Sequence, residues 1–430
     1  MSKTYCGACH GERGCKDCKV AAGSVNYTGL TEFFVQEPTR MQSDASTEGK
    51  EDDSEARYNK ELFLAVDLGT TTLAFVCSNG KGEILASYGC ENPQRKTAAD
   101  VIGRIDAALH GQKDSLTKGI KEALAKGFLF VLNKGFEGIR NREESAMSVR
   151  VCFGIAGNTV MQHLLLGYPT DGLAKAPFRP YSVQEVTLTA SELFSEMSAY
   201  ARWPEEAKRG NVTVLPCFSA FVGGDLFAGA CAYLQENPEA PRMLIDLGTN
   251  GEVLLFAKGV LHGTAAAMGC AFEGGRFAYA SDLFRLTAEA LETGIADETG
   301  LLREPYFSEG FRGLLQEDIR EFQLAKGALR AGIELLCKQA EVRFDEIDNV
   351  FLAGGLGRYC REEDLFRTGL LPGEFAGKVK TVGNSCICGI LFCLKNRRSV
   401  VYCKSNMLNL AEQPEFEEYY YRFMNFDKEE

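Results

Sequence analysis

Two stretches of this chain end an apolar run on a carboxylate and follow it at once with Leu-Gly-Thr. In LFLAVDLGTTTLAFVCSNGKGEILAS (62–87) the carboxylate is Asp67, and in MLIDLGTNGEVLLFAKGVLHGTA (243–265) it is Asp246. A glycine in such a turn, Gly69 or Gly248, lets the backbone approach a bound group with no Cβ in the way. Backbone N–H groups of the turn can converge on an anion. The hydroxyls of Thr70, Thr71, Thr72 and Thr249 add donors, and Asn250 adds an amide. Asp67 and Asp246 can hold a hydrated Mg2+, which takes one or two carboxylates and keeps several waters. That is the chemistry of a nucleotide triphosphate. One such turn alone could equally be an ordinary hairpin connection; two at matching positions make chance a poor explanation.

A second chemistry lies in the thiols. The chain has 16 cysteines, and Cys6, Cys9, Cys15 and Cys18 fall within its first 18 residues. Thiolates spaced as Cys9-x5-Cys15-x2-Cys18 can wrap an iron–sulfur cluster. Two CxxC pairs could also hold zinc, although five intervening residues is tighter than a usual zinc ribbon. Near the C-terminus, Cys386 and Cys388 read as small buried side chains.

The elements that must position the two carboxylates also repeat. Each Asp-bearing strand is followed by two more strands, by helical stretches, and by a strand running into glycine. That closing strand is VRVCFGIAGNT (149–159) in one half and NVFLAGGLGRY (349–359) in the other. Two such copies predict a duplicated α/β fold of two similar lobes facing each other across a cleft. Gly157, Asn158 and Thr159 should line that cleft, whereas His163, set among leucines, reads as a packing residue. Ile319, Phe322, Leu329, Ile333 and Leu336 keep the spacing of a helix with one buried face. Asp318 falls in its first turn, where the helix dipole favours a carboxylate. FVGGDLFAGACAYL (221–234) predicts another helix, opened by glycines and Asp225.

The chain therefore divides into a cysteine-rich head (1–40), an acidic flexible linker (41–60), two lobes (61–242 and 243–396) and a C-terminal strap (397–430). A formal net charge of −12 over 430 residues argues against a phosphate-backbone footprint, and so against nucleic acid. No run approaches the ~20 apolar residues of a membrane helix, and the N-terminal stretch has no apolar signal region. The expectation is a cytoplasmic protein with no membrane partner.

DLGTTT (67–72), DLGTNGE (246–252) and LAGGLG (352–357) resemble the two phosphate motifs and the adenosine motif of the superfamily of acetate and sugar kinases, heat-shock ATPases and actin. Within it, NPQRKTAADVIGRI (92–105), GNTVMQHLLLGYP (157–169), APFRP (176–180), AFEGG (271–275), DIREFQLAKGAL (318–329) and GNSCICG (383–389) resemble blocks of the reductive activators of corrinoid-dependent enzymes. The resemblance runs from about residue 62 to the C-terminal segment. It implies an actin-like, sugar-kinase-like ATPase fold carrying a short cysteine-rich N-terminal head. It further implies coupling of ATP to electron transfer from an iron–sulfur cluster onto cob(II)amide, giving cob(I)amide in a methyltransferase system.

By that resemblance Asp67, Gly69, Thr70, Thr71, Asp246, Gly248, Thr249 and Asn250 hold Mg-ATP phosphates. Gly354, Gly355 and Gly357 flank the adenosine, and Gln323 and Lys326 sit beside its base; a solvated helix face is the other reading of Lys326. Asp225 stands where sugar kinases of the superfamily carry a general base, or else caps its helix. The head resembles the three-cysteine loop of a [2Fe–2S] ferredoxin, with Cys6 as the remaining ligand. It departs from that pattern in its length, and the middle domain of longer activators is expected to be absent. The implied partners are a corrinoid protein and an electron donor such as a ferredoxin, and the resemblance allows a homodimer. The competing readings are a small-molecule kinase using Asp225, and a nucleotide-gated scaffold without its own cluster.

Overall fold

The computed structural model describes residues 60–140, 149–234, 240–248, 250–269, 277, 280–308, 313–354, 360–396 and 404–426. The head, its cysteines Cys6, Cys9, Cys15 and Cys18, and nearly all of the linker lie outside the described residues, as do Thr249, Gly355 and Gly357. The described residues form two compact units, 60–232 with 386–396, and 233–385 with 404–426.

Each unit is organised by a six-stranded mixed sheet. In the first, β1 (Lys60–Leu68), β2 (Thr72–Asn79), β3 (Ile84–Glu91), β4 (Val149–Gly157), β5 (Val186–Thr189) and β6 (Asn211–Val214) lie in the order β3-β2-β1-β4-β6-β5. In the second, β7 (Arg242–Leu247), β8 (Asn250–Ala257), β9 (Val260–Ala267), β10 (Asn349–Ala353), β11 (Val379–Gly383) and β12 (Ser405–Leu408) lie in the order β11-β10-β7-β8-β9-β12. Five strands of each follow one plan. The Asp-bearing strand has an antiparallel neighbour on one side and a parallel neighbour on the other. The sixth strands differ, since β5 runs antiparallel to β6 whereas β12 runs parallel to β9. This is the duplicated α/β fold that the repeat predicts.

The unbroken apolar run explains why β1 is interior. Leu62, Leu64, Val66 and Leu68 are fully buried on one face, and Phe63 and Ala65 are buried on the other. A strand covered on both faces needs such continuity instead of alternation. Asp67 comes where the run ends, opposite Ala74 of β2 and Ala156 of β4. Asp246 ends β7 in the same way, opposite Glu252 of β8 and Ala353 of β10.

Among the described residues, the helices of six or more residues are α1 (Val101–Ala107), α2 (Lys113–Arg140), α3 (Thr159–Leu166), α4 (Gly224–Tyr233), α5 (Ala280–Glu292), α6 (Gln316–Ala340), α7 (Glu362–Arg367), α8 (Ser385–Asn396) and α9 (Phe416–Met424). In the first unit, Phe128 of α2 joins Phe153 and Trp203 in the sheet-backed core. In the second, Ile319, Phe322, Leu329, Ile333 and Leu336 of α6 are all fully buried against β7 and β8 residues. Asp318 Oδ2 accepts the Leu315 N–H at 2.7 Å, the reciprocal bond of a helix cap.

Two boundaries differ from the sequence reading. The first unit's described core ends at Ala232, before β7, and residues 386–396 of α8 belong to it and not to the second lobe. The reason is packing, because Ile390 and Leu394 cover the side-chain-free surface of Gly154 in β4. Cys386 and Cys393 are buried in α8, as small apolar side chains would be, and Cys388 is half-buried. The C-terminal segment packs within the second unit, pairing β12 with β9 and laying α9 along α6. Among the described residues no helix is long and apolar enough to cross a membrane.

Candidate functional site

In the first unit, the turn after β1 brings Asp67, Gly69, Thr70 and Thr71 together, all half-buried, with Thr72 opening β2. Gly69 is required by close approach, since a Cβ there would lie 2.5 Å from the Thr72 carbonyl oxygen. The turn's carbonyls are tied back. Asn92 Nδ2 donates to Gly69 O at 2.8 Å, Arg104 Nη2 to Thr70 O at 2.6 Å, and the Asn92 N–H to Thr71 O at 2.9 Å. Asn92 and Arg104 were not singled out as site residues from sequence. Their signal lay in the NPQRKTAADVIGRI block, where they are the first asparagine and last arginine.

The closing strand β4 delivers a second turn to the same place. Asn158 caps α3 by accepting the Met161 N–H at 3.0 Å, and its Nδ2 donates to Thr70 Oγ1 at 3.0 Å. Because that oxygen accepts, the Thr70 hydroxyl proton is left to donate elsewhere. A Cβ on Gly223 would meet Asn158 Cα at 2.5 Å, Asp225 Oδ1 at 2.7 Å and Gly157 O at 2.8 Å, so Asp225 joins this cluster. Asp225 lies inside the first turn of α4, not at its cap. His163 does pack. It is 1% exposed, its Nδ1 faces Thr159 O at 2.8 Å, and its Nε2 accepts the Tyr181 N–H at 3.1 Å. That pairing requires the neutral ring, and burial lowers its pKa.

The second unit repeats the arrangement around Asp246. Its Oδ2 accepts from Ser385 Oγ at 3.2 Å, and a Cβ on Gly354 would meet its Oδ1 at 2.9 Å. Gly354 has φ +87°, and that Cβ would also lie 2.6 Å from Leu247 O. Gly157 does the same for the first unit, 2.5 Å from Leu68 O. Gly248 donates its N–H to Asn250 O at 3.1 Å, closing the turn into β8, and Asn250 is exposed. Ser385, which sequence reasoning passed over for the neighbouring cysteines, belongs to the GNSCICG block.

Gln323 and Lys326 are both buried, at 1% and 3% exposure, so the solvated reading of Lys326 does not hold. Gln323 Nε2 donates to Thr299 O at 3.0 Å and to Met424 O at 2.8 Å. The Lys326 ammonium donates to Asn425 O and lies 4.8 Å from the Phe426 ring centroid. Apart from Thr299, these observed partners belong to the C-terminal segment, not to an open face.

The donor set fits Mg-ATP. In each unit a half-buried carboxylate ends the strand, and a glycine turn and a hydroxyl group adjoin it. The cluster expectation rests on head cysteines outside the described residues; among the described residues no group of three or more His, Cys, Asp or Glu could hold a metal ion.

Comparison with known proteins bears on the family and the fold. Residues 62–235 match the RACo middle region, and residues 240–299 and 313–430 match the C-terminal domain of RACo, the ASKHA domain. Only residues 1–61, 236–239 and 300–312 fall outside the two matches. The expected absence of a middle domain is thereby corrected for the region so described. The chain is 23% identical over 428 residues to the corrinoid activation enzyme RamQ of Eubacterium limosum, covering 83% of this chain and 69% of that protein. It superposes on the structure of a reductive activator for corrinoid,iron-sulfur protein with a TM-score of 0.67 at 24% identity. That likeness covers 85% of this chain and 66% of the other, just under two thirds of its length. The fold is that of the ASKHA proteins, in two mixed sheets. The chain belongs to the reductive activator family, with the middle region and C-terminal ASKHA domain of RACo.

Proposed function

We propose that this protein is an ATP-dependent reductive activator that returns a corrinoid protein from cob(II)amide to cob(I)amide. The observation that carries the ATP part is the pair of Asp-Leu-Gly-Thr turns, each ending an equivalent strand beside an equivalent glycine, Gly157 or Gly354. The corrinoid part is supported by the family and by the relatives' own described actions. Mg-ATP, when bound, supplies the free energy of hydrolysis. Asp67 and Asp246 would hold the hydrated metal, and Thr70, Thr71 and the turn N–H groups would take phosphate oxygens. Ser385 orients the Asp246 carboxylate, and Asn158 orients the Thr70 hydroxyl.

Nucleotide binding biases the protein toward the state that binds the nucleotide more tightly. Moving a two-state equilibrium from 1:99 to 99:1 takes about 5.5 kcal/mol of differential binding. For a one-electron carrier that is roughly 230 mV, enough to assist an uphill transfer. The electron would reach the corrinoid from an iron–sulfur cluster on Cys6, Cys9, Cys15 and Cys18, supplied by a donor such as a ferredoxin.

Calorimetric titration of the full chain with Mg-ATP tests the nucleotide reading. Saturable binding that Asp246→Ala abolishes is expected, and no binding by the unaltered protein sinks the reading. A phosphorylated small molecule as product would favour a kinase with Asp225 as base.

A further inference from the structure

We propose that Arg104 is a positioning residue for the nucleotide phosphates, setting the first turn from the side opposite the ligand. Its guanidinium is fully buried. Burying that charge is costly unless it is satisfied. Its Nη2 donates to Thr70 O at 2.6 Å and its Nε to Ala98 O at 3.2 Å, while Nη1 reaches Gln94 Oε1 at 3.4 Å and Met161 Sδ at 3.0 Å. None of these acceptors is a carboxylate. The nearby Asp100 is engaged as the cap of α1, accepting the Gly103 N–H at 2.8 Å. Burial lowers the Arg104 pKa only to about 10, so the group stays charged at neutral pH.

The geometry gives this charge a purpose. In a trans peptide the carbonyl and the following N–H point in opposite directions. Fixing Thr70 O on Arg104 therefore turns the Thr71 N–H away from the guanidinium. Fixing Gly69 O on Asn92 does the same for the Thr70 N–H. The braces thus turn a pair of successive N–H groups away from the guanidinium and the Asn92 amide, free to take an anion beside the Thr70 hydroxyl that Asn158 holds. The fork of an arginine can hold several acceptors at once, which an ammonium cannot do in the same plane. The inference rests on reading this turn as a phosphate site.

The test is Mg-ATP titration of the full chain, unaltered and as Arg104→Lys and Arg104→Met, with the melting temperature of each recorded without nucleotide. The dissociation constant should rise about 10-fold for Arg104→Lys, which keeps the charge and loses the fork, and about 100-fold for Arg104→Met. A methionine variant binding within about 3-fold of the unaltered protein overturns the proposal. So does a lysine variant no better than the methionine one, since a purely structural role would not recognise the restored charge. Should the methionine variant fail to fold, Arg104→Lys and Asn92→Ala decide, and normal binding by both overturns the proposal. If the unaltered protein binds no Mg-ATP, the phosphate reading itself fails and the inference with it, a result visible before any variant is compared.

Discussion

Ser385 donates its hydroxyl to the Asp246 carboxylate at 3.2 Å, tying the first residue of α8 to the end of β7. The carboxylate carries the proposed metal role, and the serine fixes its orientation. Replacing Asp246 with alanine should lower ATP hydrolysis by about 100-fold or more, whereas Ser385→Ala should cost only about 3- to 10-fold. Steady-state phosphate release from both variants checks the ranking.

Gly354→Ala should destabilise the second unit by at least about 2 kcal/mol. The new Cβ would occupy a left-handed backbone at φ +87° and press on Leu247 O, 2.6 Å away. It would also displace the Asp246 carboxylate, so nucleotide affinity should fall with stability. Urea midpoints with and without Mg-ATP separate the two effects.

Much of this architecture was legible from residue order. The apolar run ending in Asp67 announced a strand, and its repetition at Asp246 announced the duplicated fold. The α6 stripe followed from spacing, as did the first-turn place of Asp318, though not its bond to the Leu315 N–H. What was not legible depended on contacts distant in sequence. Nothing in the local pattern says that Arg104 reaches Thr70, or that Lys326 meets Asn425, 99 residues on. The placement of α8 escaped for the same reason, since it turns on Ile390 finding the bare face of Gly154.

His163 makes stability fall below neutral pH. Its ring is buried as an acceptor from Tyr181, and its pKa in the fold lies below the ordinary 6.5. Above that value both folded and unfolded rings are neutral and it adds no pH dependence. As pH falls through 6.5 the unfolded ring gains a proton first, so stability declines until the folded pKa is passed. Denaturation midpoints between pH 7.5 and 5 should drop for the unaltered protein and drop less for His163→Gln.

The C-terminal clasp should matter for stability. Phe426 is buried beside Phe322, with ring centroids 6.0 Å apart and the Lys326 ammonium over its ring. Phe426→Ala should cost about 3 kcal/mol. Lys326→Met, which keeps the stem and removes the bond to Asn425, should lower the melting temperature. If Lys326 serves only the clasp, Mg-ATP affinity in that variant stays within about 3-fold of the unaltered protein. A larger loss of affinity would restore the reading of Lys326 beside the base.

The central claim is ATP-dependent reduction of a protein-bound corrinoid. The most direct measurement mixes the full chain anaerobically with a cob(II)amide-loaded corrinoid protein and a low-potential reductant, and follows the corrinoid spectrum with and without Mg-ATP. Cob(I)amide should accumulate with Mg-ATP and not without it, and Asp246→Ala should abolish the difference. Cob(I)amide formation at the same rate in both mixtures, or none in either while a small molecule becomes phosphorylated, would contradict the account.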